Sequence, residues 1–469
     1  MRKEQKRKIL FNLVLFILLF SIFFIIQKVF NIGEKDYYYD VVLYNEIGNS
    51  LFEKGHYSLF TIGNDFRGYI FPSFIGICNF INLKLGIDNS IHIISSIIFS
   101  LLFLIYLNFS KKLFFTSKNE NKVFKYIKYF IPVILVLIFF YGLIIYPLTD
   151  LYAALLCIAA GSTIYSAIHN ENKKKYLLYF LTGIIIYITY NIRTIYQLTI
   201  FLFIILIFIY EFKRGNYKRL ILSILFYILG VIIAALPQFI INYNLYSIIS
   251  PWINNKNLFA QQLFWGLEYP RYATAIGENA GGLYFVDNVG SKITADWLNS
   301  GAPISIASYI KYFFKYPLDY IGIIGRHFYN LLFILFPNQY VSSLDINLMF
   351  YSILSLIVVF IFCFLIYIYF KKNKFDWKKT IFIFVLIFPS LAISFGAVEE
   401  RFMILPYLLI YSFIAFFDYS KLKKYFNKKR VIIISVLFLV FIITSLSIEG
   451  SILGDLKTQP VCFNNKINN

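Results

Sequence analysis

The sequence predicts an all-α integral membrane protein of about eleven transmembrane helices, with juxtamembrane helices on the extracytoplasmic side. Three observations carry this prediction. Of 469 residues, 59% are hydrophobic, 21% aromatic and only 14% charged, whereas a soluble domain has about 45–50% apolar and about 25% charged residues. The apolar residues fall into runs of about 18 or more, the length a helix needs to cross roughly 30 Å of hydrocarbon. The basic residues concentrate in alternate connecting segments. A soluble enzyme, a disordered chain and a disulfide-stapled secreted domain are excluded by the same composition. Four cysteines with no C-x-x-C pair, and four scattered histidines (His56, His92, His169 and His327), make neither a disulfide framework nor a zinc site. The net charge of +20 is therefore a matter of topology, not of nucleic acid.

The first run, residues 9–30, follows MRKEQKRK. It is too long for a signal peptide and no small-residue cleavage site follows it, so an uncleaved anchor is expected. Further spans are expected at 91–109, 126–146, 149–168, 176–191, 194–212, 219–243, 346–370, 378–397, 402–417 and 430–447. Residues 71–83 and 317–337 are also apolar, but Pro72, Pro317 and Pro337 bound them.

Charge decides those two. If neither crosses, the cytoplasmic segments are 1–8, 110–125 with the start of the next helix, 169–175, 211–219, 371–379 and 419–430. These hold 29 of the 44 Lys and Arg residues, which is the positive-inside pattern. Letting 71–83 alone span would put the Lys111 to Lys128 cluster outside. The expected topology thus has a cytoplasmic N-terminus, an outer C-terminus and a plasma-membrane location.

Two long segments, 31–90 and 244–345, then lie outside. Long connections in a compact protein are functional or disordered, and the composition here is not that of disorder. In DVVLYNEIGNSLFEKGHY, Val42, Leu43, Ile47 and Leu51 recur at helical spacing, as in a helix lying flat on the membrane; residues 303–316 follow the same pattern. The stretch 265–297, with Glu268, Glu278, Asp287, Asp296, Gly277, Gly281 and Gly282, is expected to be a loop that can move.

Ionisable residues beside spans are costly and therefore functional candidates. Asp36 and Asp40 follow the first span; either could act as a base toward a hydroxyl, or be a hydrated loop acid. Asp150 opens the fourth span, where Thr149 or Asp150 could simply cap the helix. Arg193 sits at an outer turn, against the positive-inside bias. Glu399, Glu400 and Arg401 stand at the mouth of the tenth span, where an internal ion pair is the plain account. Two carboxylates and two guanidinium groups on one side of a bilayer suit chemistry on a phosphate-bearing lipid, because guanidinium binds phosphate through a planar fork.

These residues resemble a known pattern. Asp40, Tyr44, Gly48, Leu51 and Gly55 in the first outer segment are similar to the GT-C superfamily of polyprenyl-phosphate-sugar-dependent glycosyltransferases, in its protein O-mannosyltransferase and aminoarabinose transferase-like branch. The proline-containing segment Phe71 to Gly86, the second acid Asp150 in PLTD, and Arg401, Phe402 and Pro406 extend the likeness across residues 9–417. The chain departs from the family in having Asp40-Val41 where an Asp-Glu pair is common. It also lacks an arginine in GIDNSIHII, where many members carry one.

The resemblance implies a GT-C-like helical bundle over 1–417 with an outer cavity, followed over 418–469 by a basic loop, a last span and an outer tail. It implies transfer of a sugar, with inversion, from a polyprenyl-phosphate donor to an extracytoplasmic hydroxyl on a glycan, lipid or protein of the cell envelope. Asp40 would be the base, and Arg401 with Arg193 would bind the donor phosphate. Asp150 would orient the acceptor or bind a divalent cation, an alternative the sequence leaves open. Asp36, Tyr44 and Glu399 would support. Two other readings are an O-antigen-type polymerase or ligase using Arg271 and Arg326, and a transporter or flippase for a lipid-linked substrate. The latter would place ionisable groups at mid-membrane, where these spans are aliphatic and aromatic.

Overall fold

A computed structural model describes residues 3–30, 37, 40–62, 67–87, 89–114, 126–215, 217–254, 258–275, 281–334, 340–341, 348–372, 376–420, 422, 427–452 and 455–459. In chain order its main helices and strands begin with α1 (Lys3–Phe30), α2 (Asp40–Ser50), α3 (Ile70–Leu85), α4 (Ser90–Phe114) and α5 (Phe130–Phe139). Next come α6 (Thr149–Ile168), α7 (Lys174–Ile192), α8 (Gln197–Phe212), α9 (Tyr217–Tyr246) and α10 (Leu258–Glu268). A middle region holds β1 (Arg271–Ala275), β2 (Gly281–Val286), α11 (Asn288–Asn299), α12 (Ile306–Lys315), α13 (Pro317–Asn330) and β3 (Tyr340–Val341). The remainder is α14 (Leu348–Lys372), α15 (Trp377–Ala392), α16 (Ile404–Phe416), α17 (Lys428–Ile452) and β4 (Asp455–Gln459).

Among the described residues nine helices are long and apolar enough to cross a membrane: α1, α4, α6, α7, α8, α9, α14, α15 and α17. That is the make-up of a multi-pass membrane protein. The other two expected spans are shorter helices. Over 126–146 the helix stops at Phe139, where Phe140 leaves helical geometry, and a separate turn forms at Gly142–Ile145. Over 402–417 a 3₁₀ turn (Glu400–Met403) precedes α16, whose 13 residues rise only about 20 Å. Nearly every residue of α16 is buried, so its apolar composition reflects a core helix enclosed on all sides. Residues 71–83 lie in a helix of 16 residues and the described part of 317–337 holds one of 14, Pro317–Asn330, each shorter than a typical span.

The chain forms two compact units. The first comprises residues 1–113, 143–254 and 376–389; the second comprises 114–142, 255–375 and 390–469. In the first, α7 packs on α6 and α9. Gly183 of α7 and Gly230 of α9 meet at a close crossing, where a Cβ on either would collide with the backbone of the other helix; small residues let membrane helices approach in this way. Helix α2 turns Val41, Tyr44, Ile47 and Gly48 inward; of the expected stripe, Ile47 and Leu51 are buried and Val42 is exposed, and a Cβ on Gly48 would stand 2.6 Å from the carbonyl oxygen of Pro72 in α3.

In the second unit α10, α11, α12 and α13 close around Leu263, Phe264, Ile293, Trp297, Tyr312 and Tyr320, with the Trp297 and Tyr312 rings stacked 5.0 Å apart. The stretch expected to be a moving loop is folded. A β1–β2 antiparallel pair lies inside a four-stranded sheet of order β3-β1-β2-β4, and Asp287 caps α11 by accepting from Val289 N and Gly290 N. Of its named residues, Gly277 and Glu278 lie outside the described ones. Helix α12 exposes an apolar face of Ile306, Ile310 and Phe314 and buries Tyr309 and Tyr312.

His327 of α13 is fully buried and donates from Nδ1 to the Ser394 carbonyl at 2.7 Å. Burial pushes its pKa down to about 4. The unfolded chain, with an ordinary histidine pKa near 6.5, takes up the proton first. Stability from the neutral imidazole is thus complete above about pH 6.5 and declines as the pH falls toward 4, by about 3 kcal/mol over that interval. Unfolding midpoints measured between pH 7.5 and pH 4 should drop less in His327→Gln than in the wild type; equal slopes would refute the assignment.

Candidate functional site

Asp40 is the first residue of α2, where a carboxylate complements the helix dipole. Its Oδ1 lies 2.6 Å from Nη2 of Arg67, in the segment leading to α3. One helical turn on, Tyr44 is buried and its ring lies 6.0 Å from the Arg67 guanidinium carbon. The Tyr44 hydroxyl meets Thr149 Oγ1 at 3.4 Å. Arg193, at the end of α7, donates from Nη1 to that same Thr149 oxygen at 3.2 Å and stands 2.8 Å from Asp150 Oδ1. Two aspartate–arginine pairs are thereby joined through a tyrosine–threonine contact. Burial raises the Tyr44 pKa, assisted by the Asp40 charge and opposed by Arg67 and Arg193, so the phenol stays protonated.

Thr149 and Asp150 do not cap α6. Its N-cap is Leu148, with no side-chain cap bond, and both polar groups reach across to Tyr44 or Arg193 instead. The pairs differ in their access to water. Asp40 and Arg67 keep 21% and 29% of their side chains exposed, while Asp150 keeps 1% and Arg193 15%. Asp40 is the carboxylate a substrate can reach; Asp150 is a sealed counter-ion. Each carboxylate faces a guanidinium, so the donor set does not fit a divalent cation, which needs several free oxygen ligands.

Backbone position is set by a chain of buried amides. Asn191, two residues before Arg193, accepts at Oδ1 from Ile70 N at 2.9 Å, three residues after Arg67. Its Nδ2 donates to Gln238 Oε1 at 3.0 Å, and Gln238 Nε2 donates to Asn242 Oδ1 at 3.1 Å. Asn242 ends the chain on the carbonyls of Ser250 and Trp252. At Gly68 any Cβ would collide with the Asn191 carbonyl. One asparagine thus holds the segments bearing both arginines.

No protein-family profile, curated protein or solved structure matches this chain. The geometry must therefore carry the reading.

Of the residues expected from sequence, Asp40, Tyr44, Asp150 and Arg193 converge in the first unit. Asp36 lies outside the described residues. Glu399 and Arg401 belong to the second unit, where Arg401 Nε donates to Glu399 Oε2 and the guanidinium lies 5.7 Å from the Phe402 ring. Glu400 pairs instead with Arg271 at 3.1 Å, both about 1% exposed, and Arg271 Nη1 donates to the Asn330 carbonyl. Arg326 is bound to Asp287. Sequence reasoning missed Arg67, although an arginine in an outer segment runs against charge bias just as Arg193 does. The Arg271–Glu400 pair had no local signal, since 129 positions separate its partners.

Removing one member of a buried ion pair strands the other, whereas an exposed pair contributes little. Asp150→Ala should therefore lower unfolding stability by about 3 kcal/mol and Asp40→Ala by less than about 1 kcal/mol. Comparable losses in denaturant titrations of the two variants would show that the pairs are not sealed and open as described.

Proposed function

We propose that the protein is a membrane glycosyltransferase of GT-C type that moves a sugar from a polyprenyl-phosphate donor to an acceptor hydroxyl at the outer face of the cell membrane. The observation that supports this reading is the half-buried, water-accessible Asp40 carboxylate beside Arg67, backed by the Thr149–Arg193–Asp150 contacts. A base and two guanidinium groups within one small cluster suit displacement of a phosphate leaving group.

In the proposed step Asp40 takes the proton of the acceptor hydroxyl, whose oxygen attacks the anomeric carbon from the side opposite the phosphate. The bond from that carbon to the phosphate oxygen breaks, and inverted glycoside and polyprenyl phosphate leave. The 2.6 Å contact with Arg67 fixes where the Asp40 carboxylate points. Arg67 offsets the charge that grows on the departing phosphate, the type of preorganised stabilisation that is often the largest catalytic contribution, while Arg193, held by Asp150 and Thr149, fixes the cluster behind it. Tyr44, protonated and wedged between the pairs, holds their spacing. Asp150 orients Arg193 and so reaches the acceptor only indirectly. The phosphate role that the resemblance gives Arg401, with Glu399 beside it, is no part of this step, because both lie in the second unit. The polymerase-type reading loses support because Arg271 is buried and committed to Glu400.

Membranes bearing the protein, supplied with polyprenyl-phosphate sugars, should release polyprenyl phosphate. Asp40→Asn should reduce that release about 10²–10⁴-fold, the usual worth of a general base, with an unchanged unfolding midpoint. Arg67→Lys should weaken donor binding, since lysine cannot form the bidentate fork. Undiminished turnover in Asp40→Asn would eliminate the assignment.

A further inference from the structure

At one end of the first unit, the helix ends and connections at 111–112, 171–175, 211–219 and 376–379 hold eleven basic side chains and three acidic ones. Of the acids only Glu211 is buried. Glu211, fully buried at the end of α8, takes Lys175 Nζ at 2.9 Å, Arg214 Nη1 at 3.3 Å and the Tyr179 hydroxyl at 2.9 Å. Asp376 caps α15, accepting from Lys379 N at 3.2 Å. Glu171 is exposed in the turn before α7.

Lys213 and Lys378 are left over. Both are exposed, and among the described residues neither is ion-paired. They flank Trp377, with Lys213 Nζ only 3.7 Å from its ring centroid. Ile209 and Tyr210 of α8 complete a shallow groove with these three residues. Tryptophan and tyrosine at the ends of spanning helices mark headgroup depth, and basic pockets between such helices recognise anionic headgroups. Charge bias between loops accounts for the abundance of lysine, but not for two lysines arranged about an indole beside an apolar wall.

We propose that this groove is a binding site for an anionic phospholipid, its headgroup phosphate between Lys213 and Lys378 and its first acyl carbons against Ile209 and Trp377. The site is separate from the Asp40 cluster and does not depend on the transferase reading. Purified full-length protein, delipidated in detergent, would be titrated with phosphatidylglycerol or phosphatidylcholine and bound lipid counted by native mass spectrometry. Wild type should prefer phosphatidylglycerol. Lys213→Ala with Lys378→Ala should lower that affinity about 30-fold, at about 1 kcal/mol for each cation near a lipid surface. Arginine at both positions should preserve it, and Lys173→Ala with Lys174→Ala, exposed lysines of the same end, should change it less than about twofold. Equal loss in the two alanine pairs, or no preference for phosphatidylglycerol, would overturn the site. Displacement of the lipid by millimolar glycerol phosphate would overturn the lipid assignment in favour of a soluble phosphate ligand.

Discussion

The ion pair between Asp150 and Arg193 is the interaction on which the candidate site rests. It joins the first turn of α6 to the residue that follows α7, and the same guanidinium reaches Thr149 and, through that hydroxyl, Tyr44 of α2. A charge withdrawn from water must be paired and hydrogen-bonded or it costs several kcal/mol. Arg193 can stay at a helix end that is mostly buried only because Asp150 faces it. The Asn191 relay solves the same problem for neutral groups, each amide using both its donor and its acceptor side. Its members lie in α7 and α9 and its ends bind the first residue of α3 and the segment after α9, so the polar chain also fixes how these elements meet.

Division of labour between the two pairs follows from exposure. The sealed pair provides position, and the open one provides a carboxylate that solvent or substrate can approach. In the second unit Arg271 and Glu400 form a sealed pair of the same kind, holding β1 to the 3₁₀ turn ahead of α16. Glycines have a comparable role wherever backbones touch: Gly48 against α3, Gly68 against Asn191, and Gly183 with Gly230. None of these positions tolerates a Cβ, and in each case the partner is backbone that cannot rotate away.

Much of this was legible in the one-dimensional pattern. Runs of apolar residues foretold eleven spans, nine of which are long helices, and the distribution of lysine and arginine excluded 71–83 and 317–337 as spans. Asp40, Tyr44, Asp150 and Arg193 were singled out one by one. Their grouping was not visible, because Tyr44 and Thr149 lie 105 positions apart and nothing local to either names the other. Arg67 passed unnoticed beside a glycine and a tyrosine that resemble ordinary turn residues. The short strands of 265–297 were taken for a loop, since glycine and acid enrichment suggests turns and five- or six-residue strands leave little periodicity.

Sequence alone determined the class of protein, because hydropathy and charge asymmetry are sums over many residues and survive any error at a single position. Only the tertiary structure decided which apolar helices were core and which were long enough to span, since burial in protein and burial in lipid demand the same side chains. It alone decided, too, which arginine faces which carboxylate: electrostatic pairing depends on distances of 2.6–3.1 Å between residues that the chain order keeps far apart.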